Sequence, residues 1–205
     1  MTATDAMDAM PVPAGRASGV GAGRLRTLLV LAVAAVLIGV VTWVVDRPTD
    51  DGVTFLPGQA PIGAPPAAGD ALPDFSATAT DGSTISIAGL KGQPVWLTFG
   101  ASWCPDCRAE ATDLQATYAK YKSQGLALVG VFIQEDQSAV LDYAKHVGFT
   151  FPMVADPQSR IADLYRVYGI PIHFFVGRDG KVRDVRIGRL TPGDMEQLVQ
   201  RLISG

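Results

Sequence analysis

Residues 27–45, "TLLVLAVAAVLIGVVTWVV", run for 19 positions without a charge, and no other feature constrains the fold as much. At 1.5 Å per residue a helix over this run is about 28 Å long, close to the thickness of a bilayer's hydrocarbon core. The run predicts a spanning helix, which puts everything after it on one side of a membrane. A buried helix of a soluble domain seldom continues this far without charge, and the apolar core of a cleaved secretory signal is shorter. No small-x-small cleavage triplet follows closely, and no cysteine stands just past the run for lipid attachment, so the segment reads as an uncleaved anchor. Arg24 and Arg26 precede it, while Asp46 and Arg47 follow. Cationic flanks resist translocation, so residues 1–26 are expected to form a short cytoplasmic segment. The expected location is the cell membrane, single-pass, with the C-terminal domain extracytoplasmic. Thiols there are not held reduced by the cytoplasmic systems.

Residues 46–72 carry five prolines, from Pro48 to Pro66, among glycine, alanine and aspartate, and read as a flexible tether. From residue 73 to 205 the pattern is that of a single folded domain. Over 75–205, 13 basic residues balance 13 acidic ones, which argues against nucleic acid as a partner, since phosphate binding draws on a basic excess. Asp81-Gly82 between β-prone runs predicts a hairpin over 75–87. Strands are expected at 94–100, 126–133, 172–176 and 182–188, with a short extended stretch in "FPMVAD". Helices are expected at 105–123, 138–147, 158–168 and 192–204. The alternation predicts an α/β fold with a central mixed sheet and helices on both faces.

Both cysteines of the chain lie in "ASWCPDCRAE", two residues apart. A disulfide between residues three apart closes a very small loop and is a poor structural staple. Zinc normally takes four protein ligands, yet no second cysteine pair exists, and His146 and His173 lack a paired ligand spacing. The remaining chemistry is redox: an attacking thiolate needs a second thiol nearby to resolve the mixed disulfide it forms. A strand ending at Gly100 and a helix starting near residue 104 put Cys104 at a helix N-terminus, where backbone N–H groups favour a thiolate. Cys104 is therefore the expected nucleophile and Cys107 the resolving thiol. Pro105 suits the first helical turn. Asp106 opposes a neighbouring thiolate while suiting a helix start.

"WCPDC" after "VWLTFGAS", the downstream "YGIPIHFFV", the "RDGKV" turn and the preceding hairpin together resemble the thioredoxin fold. The nearer likeness, over about residues 71–205, is to the membrane-anchored thiol-disulfide oxidoreductases of the TlpA/ResA type. The resemblance implies a cis peptide before Pro171, with Pro171 against the disulfide and the Ile170 backbone pairing with an incoming substrate chain. It implies that Trp103 packs beside the site. It also implies that Glu110 replaces the buried acid of cytoplasmic thioredoxins, whose place on the strand is taken here by Thr98, and serves Cys107 as a proton acceptor. No cofactor and no metal are expected. The implied function is reduction of disulfides in extracytoplasmic client proteins such as apocytochrome c, recharged by a membrane thiol electron carrier. Three other readings stay open: a disulfide-donating oxidant of the same fold, a thiol peroxidase, and a metal-binding thiol module. Trp96 and His146 read as structural, His173 as core packing near the site, and "QEDQ" at 134–137 as a charged loop serving solubility.

Overall fold

The computed structural model describes residues 21–45, 52–56 and 63–205, with side chains over 26–40 in the first stretch. Residues 1–20 of the expected cytoplasmic segment, and 46–51 and 57–62 of the expected tether, lie outside the described residues. The chain divides into two units, Met1–Thr49 and Asp50–Gly205.

In the first unit, helix α1 spans Gly21–Val45. Its apolar side chains face outward on every side, from Leu28 at 63% exposed to Ile38 at 65%. Among the described residues no helix is long and apolar enough to cross a membrane.

The second unit is built on a five-stranded mixed sheet in the order β6-β5-β4-β8-β9. Its strands are β4 (Val95–Gly100), β5 (Ala127–Ile133), β6 (Met153–Asp156), β8 (Ile172–Val176) and β9 (Val182–Ile187). β4 pairs parallel with β5, and β5 with β6. β8 runs antiparallel to both β4 and β9. Alternation sends successive side chains to opposite faces. Leu97, Phe99, Val129, Val131 and Phe174 enter one apolar cluster, while Trp96, Leu128, Phe132 and Phe175 enter the other. Strands apolar on both sides need cover on both sides, and each large side chain so buried contributes about 1.5–3 kcal/mol.

Helices α2 (Pro105–Tyr121), α3 (Gln137–Val147) and α5 (Pro192–Ser204) cover the Trp96 face through Leu114, Val140 and Leu198. The opposite face is covered differently from the expectation of a long helix over 158–168. Helix α4 is Arg160–Leu164 only. Arg166 turns left-handed at φ 54°, and the chain becomes extended at β7 (Gly169–Ile170). Proline at 171 keeps only the residue before it, Ile170, out of the helical region, so the chain is extended where it enters the cis bond. The remaining cover on that face comes from the N-terminal part of the unit, including Leu56, Leu72 and Phe75. The expected hairpin is present as β2 (Ser76–Thr78) with β3 (Thr84–Ser86), tied to β6 through Ala79 and Val154.

Two described stretches within the expected tether, 52–56 and 63–72, contact the domain. β1 (Thr54–Phe55) pairs antiparallel with β7, and Ala71 bridges Lys181 at the β9 turn. "VTFL" at 53–56 is a short β-prone run inside proline-rich sequence, and burying Leu56, which is 4% exposed, gives it the apolar contact that holds it to the domain.

Candidate active site

β4 delivers the chain through Ala101, Ser102 and Trp103 to Cys104, the N-cap of α2, with Pro105 at the first helical position. The Cys107 N–H donates to Cys104 Sγ at 3.1 Å, so the first sulfur satisfies one of the orphan donors of the helix start. Cys104 and Cys107 form a disulfide. Cys104 has no exposed surface and Cys107 very little, whereas Trp103 beside them is 38% exposed. The Ile170–Pro171 peptide is cis. The Ile170 carbonyl oxygen lies 4.0 Å from Cys104 Sγ, and Pro171 O accepts from the Gly188 N–H at 2.8 Å. The structure thus brings Cys104, Cys107 and Ile170 together at one end of the sheet.

The loop before Cys104 is held by a residue assigned above to solubility. Glu135, 7% exposed, accepts from the Ser102 N–H at 2.8 Å and from the Ser102 hydroxyl. A buried carboxylate is costly unless hydrogen-bonded, and these two donors to one carboxylate offset that cost. Periodicity carries no signal for this pair, because its members lie 33 residues apart on two different strand-to-helix loops.

Glu110 lies on α2 and is 4% exposed. Its Oε2 accepts from the Leu190 N–H at 3.0 Å, and its Oε1 faces His173 Nε2 at 3.4 Å. That nitrogen makes no well-aligned hydrogen bond despite the proximity. On the other side of the ring, His173 Nδ1 meets the Trp96 Nε1–H at 3.3 Å and the Thr98 hydroxyl at 3.0 Å. An indole nitrogen only donates, so Nδ1 accepts, and the ring proton is assigned from these partners to Nε2, pointing toward Glu110. His173 is thus core, as expected, but it is also the polar floor under Glu110. A cavity of about 30 Å³ is walled by both Cys107 and Glu110, together with Tyr143. The Tyr143 hydroxyl is buried without a hydrogen-bond partner, and burial pushes it up to about 12.

The profile of the AhpC/TSA family matches residues 68–185, more than half of the chain, including Cys104, Cys107, Glu110, Ile170 and Pro171. The chain belongs to the AhpC/TSA family. Within it the chain is similar to the thiol-disulfide oxidoreductase ResA of Oceanobacillus iheyensis, 33% identical over 132 residues, 62% of this chain and 69% of that one. ResA of Bacillus subtilis is 35% identical over 123 residues, 60% of this chain and 69% of its own. Among solved structures, a thiol:disulfide interchange protein of the thioredoxin family from Chlorobium tepidum superposes with a TM-score of 0.59 at 28% identity, over 69% of this chain and 98% of that one. StoA from Bacillus subtilis does so with a TM-score of 0.55 at 30% identity, over 62% and 96%. The AhpC/TSA domain here has the thioredoxin-like fold and is a thiol-disulfide oxidoreductase of the TlpA/ResA type, acting on disulfide-bearing proteins, and its cysteine pair Cys104–Cys107 is a disulfide consistent with that redox activity.

Proposed function

We propose that this oxidoreductase is a membrane-anchored reductant of extracytoplasmic client disulfides. Cys104 thiolate attacks one sulfur of the client bond, a Cys104–client disulfide forms, and the other client sulfur leaves as thiolate. Cys107, deprotonated, then attacks Cys104 Sγ. The internal disulfide of this structure forms, and the second client sulfur leaves with the electron pair, taking a proton from solvent. The observation that carries this reading is the buried carboxylate of Glu110 sharing one small cavity with Cys107. In this reading Glu110 accepts the proton that Cys107 must lose in the resolving step. Trp103 is read as shielding the site, and Ile170 and Pro171 as the edge that receives the client backbone. A membrane thiol carrier returns the pair to the dithiol, and apocytochrome c before haem attachment is the proposed client.

The anchor reading is supported by α1, whose apolar residues are exposed all round; such a helix calls for an apolar surrounding. Arg24 and Arg26 before it set the C-terminal domain outside.

The direction of electron flow is tested by the reduction potential. A value in the reductant range of about −200 to −270 mV is expected, and one near −120 mV, about that of a strong oxidase, overturns the reading. A Cys107→Ser variant supplies the client: it should hold partners on Cys104 as mixed disulfides identifiable by mass.

A further inference from the structure

Cys104, the sulfur that must meet a client, has no exposed surface, and part of what covers it is the chain's own segment 52–56. β1 pairs with β7 in the register Thr54 to Ile170 and Phe55 to Gly169, on the backbone edge immediately before the cis bond to Pro171. The segment is tied at both ends. Gly52 O accepts from the Arg189 N–H at 3.0 Å, and the Leu56 N–H donates to Tyr168 O at 3.0 Å. The Leu56 side chain joins the core cluster that includes Tyr165 and Ile170. Between these ties the Thr54 hydroxyl lies 3.5 Å from Cys104 Sγ. A threonine Oγ1 and a cysteine Sγ both sit one bond from Cβ, so Thr54 stands where a client cysteine has to arrive. The close approach depends on Gly169, because a Cβ there would lie 2.7 Å from Val53 Cγ1.

We propose that residues 52–56 occupy the client site from within the chain, with Thr54 in the place of the client cysteine, so that a client is an extended peptide that displaces this strand and pairs with Gly169–Ile170. What displaces the strand rests on the reductase reading above; the occupancy itself does not. Threonine fills the position without supplying a sulfur, so the segment blocks Cys104 and cannot react with it. The pairing is also built to release. It is two residues long, Phe55 is 69% exposed, and so short a ladder is marginal by itself. While it is closed, affinity for a client falls by the fraction of time the edge is free.

The test uses the full chain in detergent. In oxidised Thr54→Cys, the introduced thiol loses its proton to solvent and attacks Cys104 Sγ. A bond from position 54 to Cys104 forms, the Cys104–Cys107 bond breaks, and Cys107 leaves as thiolate. Peptide mapping under non-reducing conditions should find that cross-link with Cys107 alkylated, and the same thiol placed by Phe55→Cys, one residue on and facing the other way, should give little of it. Absence of the 54–104 cross-link, or equal capture from position 55, overturns the proposal. This arm needs no destabilising change. In the second arm, Leu56→Ser removes the apolar tie, and alkylation of reduced Cys104 should quicken by about tenfold or more; an unchanged rate in a variant with native circular dichroism overturns the occupancy. Insulin reduction by the unmodified chain separates the two readings. Its failure removes the reductase reading and leaves the cross-link result standing, whereas normal insulin reduction without the cross-link removes only the occupying strand.

Discussion

Glu110 lies three residues after Cys107 on α2, and from the residues alone it reads first as a solvated surface charge; the family resemblance is what makes it an acid serving the second thiol. Its 4% exposure and its hydrogen bond from Leu190 place it inside. Glu110→Gln keeps an acceptor for the Leu190 N–H and loses the ability to take a proton. It should slow turnover of a protein disulfide by about 10²-fold and flatten the pH dependence of the resolving step, with unchanged thermal melting; stopped-flow kinetics across pH on the purified variant checks this. Glu135 acts on the site from further away. Glu135→Ala leaves the half-buried Ser102 N–H without its acceptor, and a lost hydrogen bond to a charged group costs about 1.5–3 kcal/mol. Urea unfolding should show a loss in that range, and the fluorescence of neighbouring Trp103 should report a loosened loop.

At the scale of elements, α2 and α4 are positioned by different means. Sequence alone places α2, because β-prone residues ending at Gly100, an N-cap and Pro105 are consecutive signals. α4 is set by a residue from the preceding strand: Asp156 Oδ2 accepts from the N–H groups of Ile161 and Ala162 at 3.0 and 2.9 Å. Burial, the largest influence, raises the Asp156 carboxyl above its ordinary 3.8, against the lowering effect of those donors. A carboxyl raised in the folded state binds its proton more tightly there than in the unfolded chain. Stability therefore falls as pH rises from the ordinary value through the folded one, and is regained on acidification. In urea titrations from pH 7 downward, the stability of the native chain relative to Asp156→Asn should improve through that window, and a flat difference would place the carboxyl outside the stability balance.

At the scale of the whole molecule, the anchor and the domain make separable predictions. Alkaline carbonate extraction should leave the full chain in the membrane fraction, and removal of residues 1–45 should release a domain that still reduces insulin in solution. The sequence by itself determined the parts that depend on neighbours along the chain: the apolar run at 27–45, the strand-to-helix turn that places Cys104 at an N-cap, and the order of most strands and helices. Those features are local, because strand and helix periodicity, capping and proline restriction act over a few residues. Only the tertiary structure decided which distant groups meet. Glu135 reaches Ser102 across 33 residues and Trp96 meets His173 across 77, while Thr54 comes to Cys104 across 50. Proline-rich sequence around "VTFL" reads as a tether because local propensity is all it offers, whereas the burial of Leu56 and the open backbone edge of Gly169–Ile170 that fix it in place exist only once the sheet has formed.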